Sequence, residues 1–308
     1  MSDVFDIMEA TVAGIHGAMR RCELTCAELV EEYVRRIEAY DRTGPALKSV
    51  ILVNPEAPRE AAGHDRTMAG GGPTGTLHGI PVLLKDNVET AGMTTTSGSL
   101  SLRNYVPDSD AFIVKRLKAA GALILAKANL HEFAIWGESV SSVLGQSLNP
   151  YDLSRTPGGS SGGTGAGVAA NFAAVGIGTD TINSIRSPSS ACSCVGIRPT
   201  LGLVSRSGIS PYSLDQDTAG PICRTVADAA IVLDAIAGFD PDDPATAWSV
   251  GNMPASYASC LRTDGLEGKR IGVLRSLFGD GPEHEEVNLA MKCCLDEMKE
   301  AGAEVIDV

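Results

Sequence analysis

Two glycine-rich turns, each carrying serines, constrain this chain more than any other feature. The first reads Pro157-Gly158-Gly159-Ser160-Ser161-Gly162-Gly163, and the second runs from Gly178 through Asp180-Thr181-Ile182-Asn183-Ser184 to Pro188. A small-residue, helix-like segment and a short strand, Val175–Gly178, separate them. Eight of the chain's 34 glycines fall within the 21 residues 158–178. Glycine turns let backbone N–H groups converge on a point, which an oxyanion site requires. A flexible loop would account for the first turn alone. It does not account for both turns with Lys85 upstream.

Gly158-Gly159-Ser160-Ser161-Gly162 also fits G-x-S-x-G, the nucleophile elbow of α/β-hydrolases. That motif needs a strand immediately before it, yet 149–157 reads as loop. It also needs a later acid and then a histidine. Only His284 follows Ser160, and it sits among Pro282, Glu283, Glu285 and Glu286 at a helix start, where a solvated ring is expected. A Ser-His-Asp triad fails on this context.

Without a histidine, a serine needs another base. Lysine can serve if desolvation lowers its pKa enough to populate the neutral amine. Lys85 directly follows the apolar run Ile80–Leu84, and Lys127 ends the apolar strand Ala122–Ala126. A lysine at a strand end is ordinarily a surface group, and residue chemistry does not choose between these two.

The surrounding pattern alternates helix, glycine and strand. Residues 25–40 read as an amphipathic helix with a Thr25/Glu28 capping box and Val30, Tyr33, Val34 and Ile37 on one face. A strand follows at Ser49–Val53, then a Gly- and Pro-rich loop at 70–79. A helix over 110–120 stops at Gly121 before the strand Ala122–Ala126. The same alternation recurs at 225–238 with Arg270–Leu274, and at 283–301 with Gly302 and Glu304–Val308. It predicts an α/β fold with a mixed, largely parallel central sheet covered by helices on both faces. The last five residues form a strand with nothing after it, so the expectation is a single domain over 1–308 that is truncated at its C-terminus.

Composition excludes several classes. A formal charge of −13 and a pI near 4.8 disfavour a nucleic-acid partner, which needs clustered Lys and Arg. Neutral or cationic small substrates fit better. The eight cysteines lack zinc spacing, so no metal is expected, and they read as reduced structural thiols. Residues 1–10 carry acids rather than a secretory signal, and no apolar run reaches membrane-span length. A cytoplasmic protein with no membrane partner is expected.

Four ordered motifs resemble the amidase-signature family. They are G-I-P-V-x-x-K-D-N at Gly79–Asn87, P-G-G-S-S-G-G at Pro157–Gly163, G-T-D-T-x-x-S-I-R-x-P at Gly178–Pro188 and G-I-R-P-T at Gly196–Thr200. The resemblance implies Lys85 as catalytic lysine, Ser160 as a bridging serine after a cis peptide bond, and Ser184 as nucleophile. It implies oxyanion donors among the N–H groups of Thr181, Ile182, Asn183 and Ser184. Asp180 and Arg186 would brace the loop, and Ala134 would fall near the substrate channel. No cofactor is implied, and the partner is a small-molecule amide, with a homo-oligomer allowed. One departure stands out: the family usually has Gly-Gly where this chain has Ile182-Asn183. Ile avoids positive φ, so position 182 must be extended or helical, and both side chains should reshape the acyl pocket.

The implied activity is amide hydrolysis through a serine acyl-enzyme. The alternatives are a component of an aminoacyl-tRNA amidotransferase, of its A-subunit type, and a non-catalytic relative. Because histidine has no part in this scheme, His284→Ala should change amidase activity by less than tenfold, about 1.4 kcal/mol in the barrier. A loss in steady-state turnover as severe as that from removing Ser184 would restore a histidine triad.

Overall fold

The computed structural model describes residues 5–308, which divide into two compact units, one running to Ala258 and the other Ser259–Val308. In chain order the first unit contains α1 (Val12–Arg20), α2 (Cys26–Arg36), β1 (Val50–Val53), α3 (Ala57–Gly71), β2 (Pro81–Lys85), α4 (Phe112–Ala119) and β3 (Leu123–Ala128). The short pair β4 (Val140–Ser141) and β5 (Gly145–Gln146) follows. Then come α5 (Gly162–Ala169), β6 (Val175–Asp180), α6 (Arg186–Ala191), β7 (Val195–Gly196), β8 (Thr218–Cys223) and α7 (Val226–Ile236). The second unit pairs β9 (Arg270–Val273) in parallel with β10 (Glu304–Asp307) and joins them through α8 (Glu285–Glu300).

Six strands of the first unit form one sheet in the order β1-β3-β2-β6-β8-β7. Its centre, β3-β2-β6, is parallel, and β1 and β8 run against it. Four of the six strands therefore share a direction, the mixed and mostly parallel sheet that the alternation predicts. β2 and β3 are buried at every position, as expected for strands covered on both faces. Lys85 and Lys127 thus end up inside the protein.

Helix α5 explains the glycines. It lies across β1, β2, β3, β6 and β8, and its sequence is Gly-Gly-Thr-Gly-Ala-Gly-Val-Ala. A Cβ on Gly163 would stand 2.3 Å from the Asn129 carbonyl oxygen and 2.6 Å from that of Ser49. One on Gly167 would stand 2.4 Å from Leu83 Cδ2. The small side chains let the helix press the serine turn at its N-terminus against the ends of the central strands.

The helix read over 25–40 begins as expected, with both halves of the capping box formed, but its α-helical part ends at Arg36. The chain continues as a wider π-type turn, Ile37–Arg42. That turn carries Asp41 inward, where it accepts from Ser49 N at 2.6 Å and Val50 N at 3.1 Å and so satisfies the start of β1. Helix α3 extends to Gly71, so the Gly- and Pro-rich loop begins later than its composition suggests. Strand β8, which contains Pro221, has no strong strand signal. It is held by β6 on one side and by β7 on the other, with Ile197 N donating to the Pro221 carbonyl at 3.1 Å.

The approach at Gly163 involves backbone that cannot swing aside. Gly163→Ala should therefore destabilise the first unit by about 2–3 kcal/mol, the overpacking range. Urea unfolding followed by circular dichroism would show it as a lowered midpoint, and an unchanged midpoint would mean that α5 does not press on β3 in this way.

Candidate active site

β2 ends on Lys85, and its amine is enclosed between the two serine turns. Nζ donates to Ser160 Oγ at 2.8 Å and to Thr179 Oγ1 at 2.8 Å. Lys85 and Ser160 are wholly buried. No carboxylate touches the amine, and burial pushes its pKa down to about 7 against the weaker opposing fields of Asp180 and Asp217. Asn87 Nδ2 donates to the same Thr179 oxygen at 3.2 Å. Thr179 is the contact that the motif reading did not single out, although it lies within the second turn's motif.

Lys127 is equally buried but differently held. Its Nζ lies 3.4 Å from Asp86 Oδ1 and donates to the Val88 carbonyl at 2.6 Å and Thr95 Oγ1 at 2.9 Å. Burial lowers its pKa to about 8, with Asp86 opposing the shift. None of its partners belongs to a serine turn, so the geometry separates the two lysines where residue chemistry does not.

The first turn is anchored by its backbone. The Gly159–Ser160 peptide is cis, as the resemblance implies. The Ser160 carbonyl accepts from His131 N at 3.0 Å and from Ser139 Oγ at 3.3 Å. His131 thus meets the site through its main chain, while its ring nitrogen Nδ1 lies 3.4 Å from Val140 N as acceptor. Residues 149–157 form no strand, so the elbow geometry is absent. His284 lies in the second unit at the start of α8, with Glu283 3.6 Å from its ring.

The second turn hangs on Asp180. Its Oδ2 accepts from Ile185 N at 2.9 Å and Arg186 N at 3.3 Å, and its Oδ1 accepts from Arg186 Nη2 at 3.2 Å and Arg198 Nε at 3.1 Å. Burial raises the pKa of this carboxyl, but the Arg186 and Ile185 hydrogen bonds outweigh it and hold the group below its ordinary range. Arg186 also donates to the Ile182 carbonyl, and Thr181 Oγ1 to Asp217. Arg198, in the fourth motif, is a further member of this network.

With its carbonyls and acid engaged, the turn leaves its amides free. Among the described residues, none of the N–H groups of Thr181, Ile182, Asn183 and Ser184 donates to a protein acceptor. Ile182 and Asn183 both keep negative φ, as a β-branched residue requires. Ser184 is 7% exposed and lines an open cavity of about 360 Å³, which Ser160 does not. Ile182, 66% exposed, and Trp136, also 66% exposed, stand on its wall. The Ser184 carbonyl accepts from Ser161 N at 3.3 Å, which joins the turns. No hydrogen bond links the Ser184 and Ser160 hydroxyls. A second cavity of about 230 Å³ shares Ala134, Thr181 and Tyr212 with the first. Ala134, on the wall between them, has a φ of 59°, a left-handed backbone uncommon for this residue.

A buried lysine bonded to a buried serine, beside a second serine on a cleft with unpaired N–H groups, is an arrangement suited to acyl transfer. Comparison with known proteins gives the family. The amidase family model matches residues 28–308, and the chain belongs to that family. It is 45% identical over 285 residues to a probable amidase of Arabidopsis thaliana, covering 89% of this chain and 55% of that protein. It is 40% identical over 303 residues to the A-type component of the glutamyl-tRNA(Gln) amidotransferase of Caldanaerobacter subterraneus subsp. tengcongensis, covering 98% and 60%. The structure of native peptide amidase from Stenotrophomonas maltophilia superposes with a TM-score of 0.91 at 46% identity, covering 97% of this chain and 62% of that one. The chain therefore spans about three-fifths of the length of the relatives it matches.

The uncompensated burial of Lys85 has a consequence for stability. Its folded pKa of about 7 lies below the unfolded value of about 10.4. Between the two the unfolded chain binds more protons, so wild-type stability should rise with pH across that window by at most about 1.4 kcal/mol per unit. Lys85→Met lacks this dependence. Its stability relative to wild type should grow as pH falls from about 10 to about 7, read from urea midpoints. A constant difference would mean that the lysine is not neutralised on folding.

Proposed function

We propose that the protein hydrolyses carboxylic amides through a serine acyl-enzyme, with Ser184 as nucleophile and Ser160 and Lys85 as the proton relay. The observation that carries this reading is the wholly buried Lys85 amine, bonded to Ser160 and with its pKa lowered to about 7, so that a large share is neutral near that pH. The Ser184 hydroxyl turns toward Ser160 when a substrate enters, since catalytic hydrogen bonds are often incomplete without one. Ser184 Oγ then attacks the amide carbonyl carbon while its proton passes to Ser160 and the Ser160 proton to Lys85. The carbonyl oxygen takes up the negative charge, and the unpaired N–H groups between Thr181 and Ser184 receive it. The relay returns the proton to the leaving nitrogen as the C–N bond breaks. Water, deprotonated along the same path, releases the acid. Asp180, tied to Arg186 and Arg198, keeps the N–H groups in place, and Ala134 forms part of the substrate wall.

Two features support Ser184 rather than Ser160 as nucleophile. Ser184 opens on the cavity, whereas Ser160 is wholly buried against the lysine. The amidotransferase components among the relatives suggest glutamine as an alternative amide donor. The exposed Ile182 and Asn183 side chains, where the resemblance implies Gly-Gly, favour a free-standing amidase with its own acyl preference.

Ser184→Ala should abolish both amide hydrolysis and labelling by a fluorophosphonate probe, and Ser160→Ala should keep slow residual turnover. Wild-type activity on a neutral amide should rise with pH around a midpoint of about 7 as Lys85 loses its proton. Lys85→Arg should not restore it, because guanidinium stays protonated. Labelling that survives in Ser184→Ala but is lost in Ser160→Ala would reverse the two serine roles.

A further inference from the structure

The cavity of about 230 Å³ beside the relay has a lining that the acyl-transfer reading does not use. Asn87 and Thr218 are both buried, at 2% exposure each, and both line this cavity. Asn87 Oδ1 and Thr218 Oγ1 have no hydrogen-bond partner. A buried polar atom left unpaired costs about 1–3 kcal/mol, so two on residues lining one small cavity call for a donor, from a water or from a ligand group. Both can accept a hydrogen bond, and Asn87 Oδ1 can only accept.

The charge of the lining points the same way. Three carboxylates, Asp217, Asp242 and Asp243, face one guanidinium, Arg206. Arg206 is consumed by Asp243, with Nη2 to Oδ1 at 2.7 Å and Nε to Oδ2 at 2.9 Å, and it also donates to the Leu214 carbonyl. Asp217 accepts only neutral donors: Thr181 Oγ1, Tyr212 N at 2.7 Å and Ser213 N at 2.9 Å. The exposed Asp242 carboxylate has no hydrogen-bond or ion partner among the described residues. Neither Asp217 nor Asp242 has a cation in direct contact among the described residues, although Asp217 lies within the field of Lys85 and Arg206.

We propose that this cavity is a cation subsite, in which a substrate's primary ammonium group donates to Asn87 Oδ1 and Thr218 Oγ1 and is balanced by Asp217 and Asp242. The subsite rests on the amidase reading and refines it, since the cavity adjoins the Ser184 cleft through Ala134, Thr181 and Tyr212. Preferred substrates are amides that carry a positive charge a few bonds from the scissile carbonyl. The wall around Ile182 and Trp136 takes their apolar part.

The test compares ω-amino primary amides of increasing chain length, from 3-aminopropanamide to 6-aminohexanamide, with their uncharged alkanamide isosteres. The full chain should show a kcat/KM preference of about tenfold or more for the charged member at the best length, the ratio one charge-assisted hydrogen bond supports. Thr218→Val and Asp242→Asn should each pull that ratio toward one. Glu300→Gln, the same charge change on α8, should leave it intact and so exclude a general effect of net charge. A ratio of one or below at every length in wild type overturns the subsite while leaving amide hydrolysis standing. If neither series is hydrolysed, calorimetric titration of Ser184→Ala with the same pairs decides. Tighter binding of the charged members supports the subsite and sinks the acyl-enzyme reading, whereas equal or absent binding overturns the subsite.

Discussion

The site is organised around an amine buried without a carboxylate in contact. Lys85 Nζ touches two hydroxyls, Ser160 Oγ and Thr179 Oγ1, and the acids that act on it, Asp180 and Asp217, do so from a distance. Desolvation therefore outweighs their attraction, and the amine is held near the boundary between charged and neutral forms. Lys127 shows what a small change of surroundings does. It has the same burial and a comparable strand position, but a carboxylate 3.4 Å away and a backbone carbonyl at 2.6 Å. One lysine sits in a polar cage with a carboxylate and a backbone carbonyl, the other against two hydroxyls alone. A buried charge pair of the first kind is destabilising to break, whereas an amine of the second kind costs stability wherever folding must neutralise it.

Holding that amine in place demands close approach of the helix after the first serine turn to the sheet. The glycines of α5 supply it by removing side chains where backbone meets backbone, as at Gly163 against Asn129 and Ser49. The second turn is built the opposite way, anchored at many points while four of its N–H groups have no protein acceptor among the described residues. Asp180 does this by accepting from residues that follow Ser184, namely Ile185, Arg186 and Arg198, so that the N–H groups of 181–184 are not drawn into the network. Arg186, bound at once to Asp180 and to the Ile182 carbonyl, fixes the far side. The turn is thus ordered through its carbonyls and side chains, and among the described residues its N–H groups from Thr181 to Ser184 have no protein acceptor.

Both cavities mix polar and apolar side chains, and they differ in which charged and hydrogen-bonding groups they hold. Ile182 and Trp136 give the branch at Ser184 an apolar wall, while Asn87, Thr218, Asp217 and Asp242 give the branch beside Thr179 acceptors and negative charge. Ala134, with its left-handed backbone, stands between them. An acidic chain of formal charge −13 would repel polyanionic substrates from such a cleft and attract cationic ones.

Much of this was legible in the residues. The alternation of helix, glycine and strand defined an α/β unit, because hydrophobic period and glycine stops are local properties. The resemblance of four ordered motifs to the amidase-signature family marked Lys85, Ser160, Ser184, Asp180 and Arg186, because such motifs are written in consecutive residues. Helices α1 and α3 were less visible, although Thr11 at the start of one and Pro58 with Gly72 at the ends of the other were signals to be had. Other features depended on residues distant in sequence. Residue chemistry left Lys85 and Lys127 open, the resemblance singled out Lys85, and only the fold shows which partners surround each amine. The roles of Thr179 and Arg198, and the pairing of Pro221-bearing β8 beside β6, likewise required the fold. A single residue's pattern reports its own propensity, whereas pKa, hydrogen-bond satisfaction and the shape of a cavity are set by atoms that only tertiary packing brings together.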